Sequence, residues 1–149
     1  MAGLGDAFGK DAKKKLFQAA LAKGDIFINQ FEGINHPKFF IIAGIAADKI
    51  FTCAVYINSE IHPSLFRKQA LLELQIPIKK ASYSFLKYDS FVCCSTPLYI
   101  NSINIFNWIE NKTCKVIDKL TADDLIIITD AIINSGLLSE EEIELYFTG

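Results

Sequence analysis

The chain has two histidines, and each stands immediately before a proline, in His36-Pro37 and His62-Pro63. A residue before proline is pushed towards extended or turn geometry, so both imidazoles are expected at junctions between strands and loops. Imidazole changes charge between about pH 5 and pH 8 and can act as base or acid near neutrality. A pair of them suits the cleavage of RNA through its own 2′-hydroxyl. One ring takes the proton of the attacking hydroxyl and the other protonates the leaving oxygen. Lys38, two positions after His36, is expected to stabilise charge on the phosphate. Glu32 and Asn35 share the polar stretch before His36 and complete the expected substrate contacts.

These residues need a scaffold, and the segment from Gly24 to Ile42 supplies its centre. It reads as strand, short polar turn, strand, over Asp25 to Phe31 and Lys38 to Ile45. Pro37 is tolerated at the start of the second strand, where no ladder N–H is required. A third strand over Ile50 to Asn58 alternates, with Phe51, Cys53, Val55 and Ile57 on one side. Three strands joined this closely predict an antiparallel meander.

Around the meander the pattern is helical or mixed. Asp11 to Lys23 predicts a helix with Leu16, Ala19 and Ala20 as its apolar stripe, after a Gly- and Ala-rich start over Met1 to Gly9 that reads as loose. Gly24 is a natural stop. Ser64 is expected to cap a short helix over Leu65 to Glu73. Gln75 to Ile78 is extended. A strand over Phe91 to Ser95 is expected to break at Pro97. A short helix over Ile103 to Glu110 and an edge strand over Cys114 to Ile117 follow. Two further helices close the chain. Thr121 caps the first, with Asp123 and Asp124 at its positive end, and Ser139 with Glu142 forms a capping box for the second.

Some of these residues resemble the PemK/MazF-like toxins. Gly24-Asp25-Ile26 opening a strand, then a polar turn, then Pro37 before an apolar strand is similar to the opening of that family. Ala54-Val55-Tyr56-Ile57-Asn58-Ser59 is similar to its next core strand, which ends in a small hydroxyl residue, and Leu86-Lys87-Tyr88-Asp89-Ser90-Phe91-Val92 to its later Leu-x-x-Asp-Ser-x-Val strand. The resemblance covers Gly24 to Asn134. It implies a small SH3-like antiparallel barrel, a homodimer, an antitoxin-like protein partner and metal-independent cleavage of single-stranded RNA. The family's arginine before the proline is His36 here, its hydroxyl position falls on Ser59, and the loop from Ile61 to Tyr88 is longer. The catalytic set expected from residues and resemblance together is His36, His62 and Ser59, with Lys38, Glu32 and Asn35 binding substrate.

The expected architecture is therefore mainly β with helices, of the α+β class. It comprises an N-terminal helical extension over 1–23, an SH3-like barrel with inserted short helices over 24–119, and a helical pair over 120–149 packed on the barrel or on a dimer partner. The alternative in another class is a non-catalytic barrel that binds a protein through its edge strands and the apolar faces of the last two helices. Tyr83, Phe85 and Tyr88 beside Lys79, Lys80 and Lys87 read first as an amphipathic strand, and otherwise as a platform for a single strand of nucleic acid.

Bulk composition bounds the rest. With 149 residues, 51% of them hydrophobic, the chain can build one core. A net charge of -2 gives no support for strong non-specific binding of nucleic acid. The most apolar run, Phe39 to Ala47, is far short of the roughly 20 residues that span a bilayer, and no secretory signal is visible, so a cytoplasmic protein without membrane attachment is expected. Cys53, Cys93, Cys94 and Cys114 match no zinc spacing and read as small buried thiols, and no cofactor or metal is expected. P-loop, G-x-G-x-x-G, G-x-S-x-G and H-E-x-x-H motifs are lacking.

Overall fold

A computed structural model describes residues 4–148, with side chains from residue 9 onward. Its frame is a six-stranded antiparallel sheet. The strands are β1 (Asp25–Asn29), β2 (Lys38–Ile45), β3 (Phe51–Asn58), β4 (Gln75–Ile78), β5 (Ser90–Asn101) and β6 (Cys114–Lys119), in the spatial order β4-β5-β3-β2-β1-β6. The α+β class, the meander of the first three strands and the flanking N- and C-terminal helices agree with expectation. Barrel closure is not part of the hydrogen-bonding pattern: the ladder is open, with β4 and β6 at its ends.

Strand β2 explains why the sheet is apolar on both sides. It is buried from Phe40 through Ile45, because helices cover both faces. On one face Phe27, Phe40, Ile42 and Ala54 pack with Leu21 at the end of α1 (Leu4–Ala20) and Ile105 of α3 (Ser102–Glu110). On the other, Ile26, Ile41, Val55 and Ile57 pack with Ile128 and Ile132 of α4 (Ala122–Ile133) and, through Ile143 and Phe147, with α5 (Glu140–Phe147). The chain's own sheet thus supplies the surface that the last two helices require.

Several boundaries differ from expectation for identifiable reasons. The N-terminal helix begins at Leu4, earlier than expected; residues 1–3 of the stretch read as loose lie outside the described residues. Its buried stripe is also displaced. Leu16 is 70% exposed, while Phe17 packs edge-on against Phe27 and tilted against Phe106, and Gln18 donates to Ser102. The helix ends before Gly24, whose φ of +94° is the left-handed region that glycine tolerates. The expected break at Pro97 does not occur. β5 runs through it, because pairing jumps from Tyr56↔Cys93 to Ala54↔Leu98 and leaves Pro97 in a bulge. The helix expected over Leu65 to Glu73 is instead a 3₁₀ turn over Pro63–Leu65 and a single turn α2 (Gln69–Leu72). The caps at Thr121 and the Ser139–Glu142 box form as read.

Candidate active site

At one end of the sheet an open groove of about 730 Å³ is bordered by three segments: the start of β2, the end of β3 with the loop after it, and the run from Phe85 to Ser90. That volume suits a bound ligand of moderate size. His36, Lys38, Ser59 and His62 all line it. Two of its segments meet because β2 and β3 are antiparallel, with Phe39 opposite Ile57. The third leads into β5, which pairs with β3 at Asn58↔Phe91, and packing holds the rest of it in place. Phe85 stands edge-on to Phe39 with 5.0 Å between centroids. Behind it, buried Tyr83 donates to Asp124 Oδ2 and accepts from the Thr121 N–H at 3.1 Å, which ties this segment to the start of α4.

The floor is apolar, with Ile28, Phe39 and Ile57, and the rim is polar. His36 is exposed, and its Nδ1 lies 3.2 Å from the carbonyl oxygen of Pro37. His62 is exposed too and caps the 3₁₀ turn that Pro63 begins. Its Nδ1 accepts from the Ser64 N–H at 3.2 Å and lies 2.8 Å from Ser64 Oγ. Ser59 and Glu60 follow the end of β3 and are exposed. On the opposite wall Lys87 and Tyr88 are exposed, Tyr88 by 66%.

The expected substrate-binding residues divide between the groove and the turn before it. Lys38 lines the groove, but its ammonium donates to Asn58 Oδ1 at 3.0 Å and sits 5.2 Å from the centre of the Tyr56 ring. Strand alternation is the cause: Lys38 shares the side of β2 that carries Phe40, and Phe39 faces the groove floor. Glu32 and Asn35 are exposed in the turn between β1 and β2, outside the groove lining. Lys87 and Tyr88 belong to the groove although the sequence reading gave them no place in the catalytic loop cluster. Their aromatic–lysine adjacency was the available signal. Tyr83, from the same cluster, is buried at 2% exposure and cannot stack on a ligand.

The four thiols are free and buried. Burial pushes Cys53, Cys94 and Cys114 up to about 12. Among the described residues no cluster of three or more His, Cys, Asp or Glu side chains is arranged to hold a metal ion, and no helix is long and apolar enough to cross a membrane. Neither a protein-family model nor a curated protein matches the chain, so the PemK/MazF resemblance stands on the short motifs quoted above.

Proposed function

We propose that the protein is an endoribonuclease of PemK/MazF-like type that cleaves single-stranded RNA in this groove without a metal ion. The observation that carries the reading is that His36, Ser59 and His62, from two separate loops, line one open concave surface. The chemistry needs a base for the 2′-hydroxyl and an acid for the leaving oxygen, and two imidazoles at one groove supply both. Ser59 and the neighbouring backbone contribute hydrogen bonds to the phosphate. Tyr88 and Lys87 offer a base a stacking surface and the backbone a positive charge. The motifs shared with the family extend the reading to an SH3-like barrel core, a homodimer, an antitoxin-like partner and a cytoplasmic setting.

The test is the chemistry of the product ends. Incubated with a long single-stranded RNA and excess chelator, the protein is expected to yield 2′,3′-cyclic phosphate and 5′-hydroxyl ends. Intact RNA, or 3′-hydroxyl and 5′-phosphate ends, would overturn the reading. A non-catalytic, protein-binding member of the same family is the second reading. It is favoured by Ile126 and Ile127, which α4 leaves more than half exposed.

A further inference from the structure

The two imidazoles of the groove differ in what their own loops do to the inner nitrogen. His36 Nδ1 is 3.2 Å from the Pro37 carbonyl oxygen. A carbonyl has no proton to give, so this hydrogen bond exists only when Nδ1 carries one. In the neutral ring the other nitrogen, Nε2, is then bare. His62 has the reverse arrangement. The Ser64 N–H donates to its Nδ1 at 3.2 Å, as part of the cap of the 3₁₀ turn. A nitrogen that accepts a hydrogen bond in the neutral ring is the unprotonated one, so Nε2 of His62 holds the proton.

We infer that the groove holds its two histidines in opposite tautomers, His36 with a bare Nε2 as the general base and His62 with a protonated Nε2 as the hydrogen-bond donor and acid. Ser64 serves His62 in both charge states. Its N–H pins the neutral ring, and its Oγ, 2.8 Å from the same nitrogen, accepts from Nδ1 once the ring is charged. Nε2 of His62 therefore carries a proton whether the ring is neutral or cationic. Pro37 and Ser64 are positioning residues here, acting on the imidazoles through backbone and hydroxyl groups.

The roles, though not the tautomers, rest on the ribonuclease reading. In that reaction the proton of the 2′-hydroxyl passes to His36 Nε2 as the O2′–P bond forms. The P–O5′ bond breaks, and the leaving O5′ takes the Nε2 proton of the His62 imidazolium. This leaves the ring with its remaining proton on Nδ1, donated to Ser64 Oγ, until exchange with solvent returns it to the Nε2–H form. The products are a 2′,3′-cyclic phosphate and a 5′-hydroxyl. One proton is taken up and one released, and solvent exchange restores both rings.

The deciding experiment is a long-range proton–nitrogen NMR spectrum of the full chain, labelled with ¹⁵N and recorded at alkaline pH where both rings are neutral. The expected spectrum shows His36 protonated on Nδ1 and His62 protonated on Nε2. A histidine free in water favours the Nε2–H form, so His36 is the discriminating signal. Two Nε2–H rings, or the reversed pair, would overturn the inference. The roles have their own readout, an RNA whose scissile O5′ is replaced by sulfur, which leaves without a proton. His62→Ala is expected to lose about 100-fold or more on the oxygen substrate and to recover most of it on the sulfur substrate, whereas His36→Ala loses on both. Equal loss without recovery, or recovery in His36→Ala alone, would refute the role split. If the wild-type protein cleaved no RNA, the ribonuclease reading would fall, and the spectrum would still decide the tautomers.

Discussion

Histidine before proline was the most informative residue pattern in the chain, because the same feature sets the placement of both imidazoles and bears on the proposed chemistry. The pyrrolidine ring restricts the backbone of each histidine to extended or turn geometry, and the next peptide groups then engage its Nδ1. The positions were readable in the sequence, whereas those hydrogen bonds required coordinates. Lys38 lines the groove as well, with its ammonium already engaged. Its nearness to His36 in sequence suggested a shared task, but one step of strand alternation turned its ammonium towards Tyr56 and Asn58. Tyr88 is the groove residue whose proposed role as a stacking surface rests most directly on exposure. Base–aromatic stacking is worth about 1–3 kcal/mol per base. Tyr88→Ala is therefore expected to weaken binding of a non-cleavable 2′-O-methyl oligonucleotide roughly 5- to 150-fold, and Tyr88→Phe to bind as wild type. Fluorescence anisotropy checks this, and equal affinity for Tyr88→Ala would remove Tyr88 from the site.

At the scale of elements, strands and caps with strong local signals were legible, and features decided by contact were not. β2 has the bounds that Pro37 and the following apolar run predict, and the Thr121 and Ser139 caps follow from residue type alone. The stripe of α1 was misread because Leu16 and Phe17 are both apolar, and only the aromatic partners Phe27 and Phe106 select Phe17. The passage of β5 through Pro97 depends on a bulge that local sequence does not announce. Gly44 shows how closely the elements fit. It follows a bulge in β2, and a Cβ there would lie 2.8 Å from Tyr146 Cβ and 2.9 Å from the Tyr146 carbonyl oxygen. Backbone in α5 cannot yield cheaply, so Gly44→Ala is expected to destabilise the fold by about 1–3 kcal/mol, the usual cost of overpacking. Urea unfolding checks the value, and faster amide exchange in α5 would locate the damage. An unchanged midpoint would show that α5 does not pack on β2 as described.

For the whole molecule, the open ladder raises the question of its edges. β4 carries Pro77, and exposed Lys115 and Lys119 lie on β6, which are devices that discourage pairing with another sheet. The groove is assembled from Ile28 and residues 36–39, 57–63, 85–88 and Ser90; neighbouring strands join the ends of β2 and β3 and bring in Ser90 at the start of β5, which pairs with β3 at Asn58↔Phe91. The rest of that wall is held by Phe85, Tyr83 and the start of α4, so the sequence offered Tyr88 and Lys87 as a platform without placing them opposite the histidines. The buried thiols give the whole fold a pH dependence. Burial raises Cys53, Cys94 and Cys114 from 9.0 to about 12. The folded state thus holds protons that the unfolded chain releases, and their contribution is complete below about pH 9 and is lost as pH rises from 9 towards 12. The urea midpoint is expected to fall across that window and to fall less steeply in Cys94→Ala; equal slopes would argue against a buried Cys94 thiol.

The central claim is that one groove with two histidines cleaves RNA. Its most direct test is the single-turnover cleavage rate of a fluorescent single-stranded RNA in chelator, for wild type, His36→Ala, His62→Ala and a surface control, Leu16→Ala. The account predicts cleavage by wild type and the control, and a loss of about 100-fold or more in each histidine variant. Intact RNA with the wild-type protein, or histidine variants that cleave as fast as the control, would contradict it.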